Sequence, residues 1–161
     1  ENSYIQLGPW GRTPDAIKIQ KSYAFREYLL LENRQPVGAD EGFFGSGLAV
    51  YHIDEAQKDQ ASASWPSKSD YPKDHYMVGI LSRDGLYNLE QGENKGDQGD
   101  LWVVGDTLGP GQNGTVFPNT DGYQSGRTYE NGLVITVVEE CGNDNRGQNV
   151  IVLIEGLGDN D

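Results

Sequence analysis

Short apolar runs recur along the chain, each closed off by Gly, Pro, Asn or Asp. They read DAIKIQ (15–20), EYLLLE (27–32), GLAVYHI (47–53), YMVGIL (76–81), LWVV (101–104), GLVITVVEE (132–140) and NVIVLIE (149–155). Their β-branched and aromatic content suits a pleated, half-buried surface, so each run predicts a strand. Residues 132–139 and 149–155 flank CGNDNRGQ, whose Gly, Asn and Asp supply the conformations a reversal needs. An antiparallel C-terminal hairpin with a long mobile loop follows. No segment carries an apolar stripe of helical period. The best candidate, residues 54–64, has almost nothing to bury and reads as loop. With WPSKSDYPKD it forms a polar connection of about 20 residues, longer than compact domains usually hold unless it binds something or is disordered. The pattern predicts an all-β fold, an antiparallel β-sandwich-like domain with long loops and little helix. Its parts are an extended N-terminal arm (1–14), one β-rich domain (15–155) and a frayed tail (156–161).

Length and charge narrow the function. The 161 residues suffice for one core. Against 25 Asp and Glu stand 12 Lys and Arg, a formal charge of −13, which lacks the basic footprint for nucleic acid or anionic lipid. No apolar run approaches the roughly 20 residues of a membrane span. The acidic composition, rich in Gly, Asn, Asp and Tyr, points to secretion or surface display. Glu1 in first place is what a processed product or a piece of a larger chain would show. Cys141 is the only cysteine; it is either a half-buried thiol or a link to another chain or to a removed precursor segment.

Candidate chemistry concentrates in GENKGDQGDLW (92–102). Calcium takes six to eight oxygens, and Gly lets a loop aim several of them inward. Asn94, Asp97 and Asp100 offer side-chain oxygens, while Gly96 and Gly99 permit the folding. The competing reading is that Asp97 and Asp100 cap turns through their own backbone. His52, Asp54 and His75 form the set that resembles zinc ligands, but His52 shares a strand face with Leu48 and Val50 and suits a hydrogen-bonded, partly buried ring better; zinc is not expected. Glu32 and Arg34 fall on one strand face as a pair. Glu27 has the opposite parity, which disfavours a two-carboxylate glycosidase arrangement. The sequon at Asn113 marks a glycosylation site in a secretory setting. Trp10, Trp65, Trp102 and the nine Tyr raise a carbohydrate-binding module as an alternative, with sheet packing the plainer reading. The stretch 1–12 reads as an arm able to add a strand to a neighbour's sheet edge, a route to self-assembly.

The segment EYLLLENRQPVGADEGFFGSGLAVYHIDE (27–55), followed by HYMVGILSRDGLYNLEQGENKGDQGDLW and FPNTDGYQSGRTYENGLVITVVEE, resembles the region downstream of the catalytic helix in secreted zinc metallopeptidases of the immune inhibitor A type. The likeness runs in family order over about residues 15–140. It implies that Asp84 and Asp54 join Asn94, Asp97 and Asp100 around calcium. The family's activity resides in an H-E-x-x-H helix, and neither His52 nor His75 sits in such a motif. The resemblance therefore implies a non-catalytic β domain with a structural, adhesive or self-assembling role. The alternative is a piece of a working metallopeptidase whose zinc half lies outside these residues. The family's A-D-G element is replaced by SRDG at 82–85, and residues 55–74 follow no family pattern.

Overall fold

Alternation of buried and outward positions builds two antiparallel sheets. The computed structural model describes residues 2–57, 71, 73–112, 114–123, 126–144 and 147–156. The strands are β1 (Ser3–Leu7), β2 (Ala16–Ile19), β3 (Glu27–Arg34), β4 (Gly47–Asp54), β5 (Val78–Ile80), β6 (Thr107–Leu108), β7 (Val134–Asp144) and β8 (Gly147–Glu155), with a single helical turn, α1 (Asn88–Gln91). One sheet runs β1-β8-β7-β6 and the other β2-β3-β4-β5. Leu29 and Leu31 on β3 and Leu48 and Val50 on β4 meet Ile135 and Val137 on β7 and Val150, Val152 and Ile154 on β8 in one apolar cluster. Each such side chain contributes about 2 kcal/mol through its removal from water. The sandwich expectation stands.

Four elements differ from the sequence pattern. Ser3–Leu7 is not a free arm: it pairs with β8 from Ser3↔Ile154 to Leu7↔Val150, because Ile5 and Leu7 supply an alternation that the core accepts. The pairing capacity assigned to residues 1–12 is met on one side within the chain itself. In LWVV only Trp102 pairs, through an isolated bridge to Leu48. Leu101 and Trp102 are both buried, which strand geometry does not allow on a sheet with one open face, and the strand forms at β6 instead. YMVGIL shortens to β5. The hairpin ladder continues past the apolar residues to Asp144↔Gly147, since backbone pairing needs no apolar side chain, and the predicted long loop is absorbed into strand. A shift between Val137 and Glu139 inserts Val138 as a bulge and turns it outward. Of the polar connection, residues 58–70 lie outside the described residues, as do residues 157–161 of the tail.

A polar clamp joins the sheets. Asn33 on β3, fully buried, donates through Nδ2 to the carbonyls of Leu7 (3.1 Å) and Gln148 (2.8 Å) and accepts from Gln35 Nε2 at 2.9 Å. Its own carbonyl accepts from Trp10 N at 2.8 Å. Asn33→Ala should therefore lose about 2–3 kcal/mol in urea unfolding, from broken bonds and stranded buried partners. Asn2→Ala, at an exposed bond to Glu155, should stay within about 0.5 kcal/mol.

Candidate functional site

Strand parity carries Glu27 and His52 to the inner face of the β3–β4 pair, beside Leu29 and Val50. Glu27 is 1% exposed and His52 4%. The ring Nε2 lies 2.9 Å from Glu27 Oε1; a carboxylate only accepts, so Nε2–H is the donor. The same Oε1 accepts from Tyr123 N at 2.5 Å, and Oε2 accepts from the Tyr129 hydroxyl at 3.4 Å. Burial pushes the Glu27 carboxyl up, but the hydrogen bond from His52 and the amides of Tyr123 and Ala24 outweigh it and hold it low. Burial drives His52 below its ordinary value against the pull of Glu27. The pair is thus a neutral imidazole donating to an ionised carboxylate.

A second pair adjoins it. Asp54, at the end of β4, accepts from His75 Nε2 at 3.0 Å and from Ala56 N at 2.9 Å, while His75 Nδ1 faces Gln57 Nε2 at 3.3 Å. The Tyr123 ring stands 4.5 Å from each imidazole, whose own centroids are 5.8 Å apart. Tyr71 hydrogen bonds to Tyr123 through the two hydroxyls. Tyr23 donates to the Thr120 carbonyl at 2.6 Å. Burial raises the tyrosine hydroxyls, Tyr71 and Tyr123 strongly and Tyr129 to about 12, so they stay protonated donors. The adjoining cavity measures about 30 Å³, room for little more than water.

The acidic elbow gathers four of the five predicted ligands. Ser82 Oγ donates to Asp84 Oδ1 (2.9 Å) and Asp100 Oδ1 (2.7 Å). Asp97 accepts from Gly99 N at 2.7 Å and Asn94 Nδ2 at 2.7 Å, and Asp97 N donates to Asp100 Oδ2 at 2.8 Å. This is a reciprocal cap on the 3₁₀ turn 98–100, the turn-capping arrangement weighed in the sequence. Asp84 Oδ2 and Asp97 Oδ1 crowd the α-carbon of Gly99, where a β-carbon would collide with both. Among the described residues no group of three or more His, Cys, Asp or Glu is placed to hold a metal ion. Asp54 is not part of the elbow. The elbow adjoins the start of β4 through the Leu48–Trp102 bridge, and six strand residues, about 20 Å, separate that point from Asp54.

The remaining candidates fall as follows. Glu32 and Arg34 do pair, at 3.1 Å, and Arg34 also reaches Asp40 at 3.0 Å; Glu27 faces the opposite way. Trp102 is buried, its Nε1 donating to the Leu81 carbonyl at 2.8 Å, so it is unavailable as a sugar platform. Trp10 is half-buried. Trp65 and Asn113 lie outside the described residues. Cys141 is a free, half-buried thiol on β7. No described helix is long and apolar enough to cross a membrane. Sequence reasoning missed the tyrosine cluster around the two histidines, whose members come from segments far apart in the chain.

Comparison of the chain with protein-family models, with curated proteins and with solved structures finds no match in any of the three.

The buried pair sets a pH response. His52, held neutral in the fold but free to protonate on unfolding, contributes stability that is complete above about 6.5 and is lost as pH falls below it, at up to about 1.4 kcal/mol per pH unit. Glu27 adds a second loss further down, below its ordinary 4.5. Urea unfolding across pH should show the midpoint falling through this range. The imidazole signals of His52 should titrate below 6.5 in the native protein; a ring that protonates above that value contradicts the assignment.

Proposed function

We propose that this chain is a non-catalytic extracellular or cell-surface β-sandwich module with a structural or adhesive role. It is of the kind that accompanies the catalytic half of an immune inhibitor A-type zinc metallopeptidase. The observation that carries the reading is the use made of the histidines. The chain has two, and both are engaged with carboxylates at 2.9 and 3.0 Å beneath a tyrosine ring. That arrangement braces strands β3 and β4 against the 119–129 segment. The acidic surface and the resemblance of residues 27–55 and their continuation support the rest.

A second reading adds calcium at the elbow. Three carboxylates, of Asp84, Asp97 and Asp100, gather with Ser82 and Asn94 where two turns meet, and Asp84 and Asp97 close so tightly over Gly99 that a β-carbon there would collide with both. The amides and hydroxyls that now occupy these carboxylates are the competing donors. Of the basic residues beside the elbow in sequence, Arg83 lies 3.5 Å from Asp106 and Lys95 is exposed.

Two measurements test these readings. The purified chain incubated with denatured casein and zinc should leave the casein intact, and cleavage by the chain alone would refute the non-catalytic reading. In thermal melts, calcium binding at the elbow predicts a rise in Tm on adding calcium, reversal by chelator, and no response in Gly99→Ala. A Tm indifferent to both additions leaves the elbow closed by its own amides.

A further inference from the structure

A second, larger cleft lies beyond the tyrosine cluster, on the outer side of β4 and β5. Its volume is about 450 Å³, within the range of roughly 300–1,000 Å³ typical of small-ligand sites. One wall is aromatic: Phe43, Phe44, Tyr51 and Tyr76. Phe43 and Phe44 stack at 4.2 Å. The Phe44 ring lies over Gly96, where any side chain would run into it, so the glycine lets the ring close over that wall while staying 41% exposed. The guanidinium of Arg34 already sits 4.8 Å from the Phe43 ring, one instance of a cation held on this wall.

The polar end is acidic. Glu90, on α1, lines both this cleft and the small cavity beside His52 and His75, and Asp100 lines the larger cleft with it. Glu90 Oε2 is shut off from solvent and has no hydrogen-bond partner among the described residues. Burial, and secondarily the charge of Asp100, raises this carboxyl. A buried carboxylate oxygen without a donor is a standing penalty that a ligand donor would remove. Two carboxylates on a chain of charge −13 disfavour an anion. The exposed Lys95 at the rim is the one opposing charge in the lining.

Aromatic faces on one side and an unpartnered carboxylate on the other are the recognition chemistry of an organic cation. We infer that this cleft binds an alkylammonium group, free or as a lysine side chain, with the ammonium on Glu90 and its carbon body against Phe44, Tyr51 and Tyr76.

The test is an NMR titration of the full chain with three probes: butylammonium, its uncharged isostere butan-1-ol, and Nα-acetyl-lysine methylamide. At least one cation should perturb the rings of Phe44, Tyr51 and Tyr76 and the Glu90 carboxyl, with the isostere much weaker. A response to butylammonium alone assigns a free amine, and one to the lysine derivative alone assigns a peptide. Glu90→Gln should weaken binding about tenfold or more. Phe44→Ala, at an exposed position that keeps the fold by circular dichroism, should also weaken it. Silence from both cations, equal binding of the isostere, or affinity unchanged in both variants would overturn the inference.

Discussion

A negative charge placed in the interior is the constraint around which this molecule is arranged. Glu27 is 1% exposed, and an ionised carboxylate there is tenable only if donors surround it. It finds them in three separate places: His52 on the neighbouring strand, the amide of Tyr123 nearly a hundred residues away in sequence, and the hydroxyl of Tyr129. Satisfying the charge therefore dictates tertiary structure. Residues 119–123 must lie against β3 and β4 so that the Tyr123 amide reaches Glu27, and the Tyr123 ring is thereby pressed onto both imidazoles. His75 is then held by Asp54 from the strand end.

The same strands carry two other devices at their opposite end, where Asn33 and Leu48 are register partners. Asn33 at the far end of β3 clamps the two sheets, and the acidic elbow is docked at the beginning of β4 through Trp102. Between the elbow and the buried pairs lies the outer cleft, with Glu90 facing both cavities. Rigidity comes from polar groups buried inside, and the open chemistry is left to the cleft and the acidic turns.

Much of the frame was legible in the residues. Short β-branched and aromatic runs closed off by Gly, Pro, Asn or Asp placed β3, β4, β7 and β8. Parity set His52 with Leu48 and Val50 and put Glu27 opposite Glu32. What the pattern could not convey was partnership at a distance. The first strand escaped because Ile5 and Leu7 are only two apolar positions, and they become a strand edge only when β8 is beside them. LWVV read as strand since its composition is right, yet burial of both Leu101 and Trp102 makes it an irregular plug. Asp54 was grouped with Asp84, Asp97 and Asp100 through the resemblance, while the extended β4 carries it to the other end of the sheet. Tyr23, Tyr71, Tyr123 and Tyr129 gave no signal at all, for each looks alone like ordinary packing.

The account rests on Glu27 being an ionised brace, and the most direct test compares unfolding free energies of the native protein and Glu27→Gln as pH is lowered. The substitution keeps the shape and an acceptor but removes the charge. At neutral pH the variant should be less stable by about 2 kcal/mol, the difference between charge-assisted and neutral hydrogen bonds. The gap should close as pH falls below 4.5, where the carboxyl of the unfolded chain takes up a proton that native Glu27 still resists. A variant as stable as the native protein at neutral pH, or a gap indifferent to acid, would contradict it.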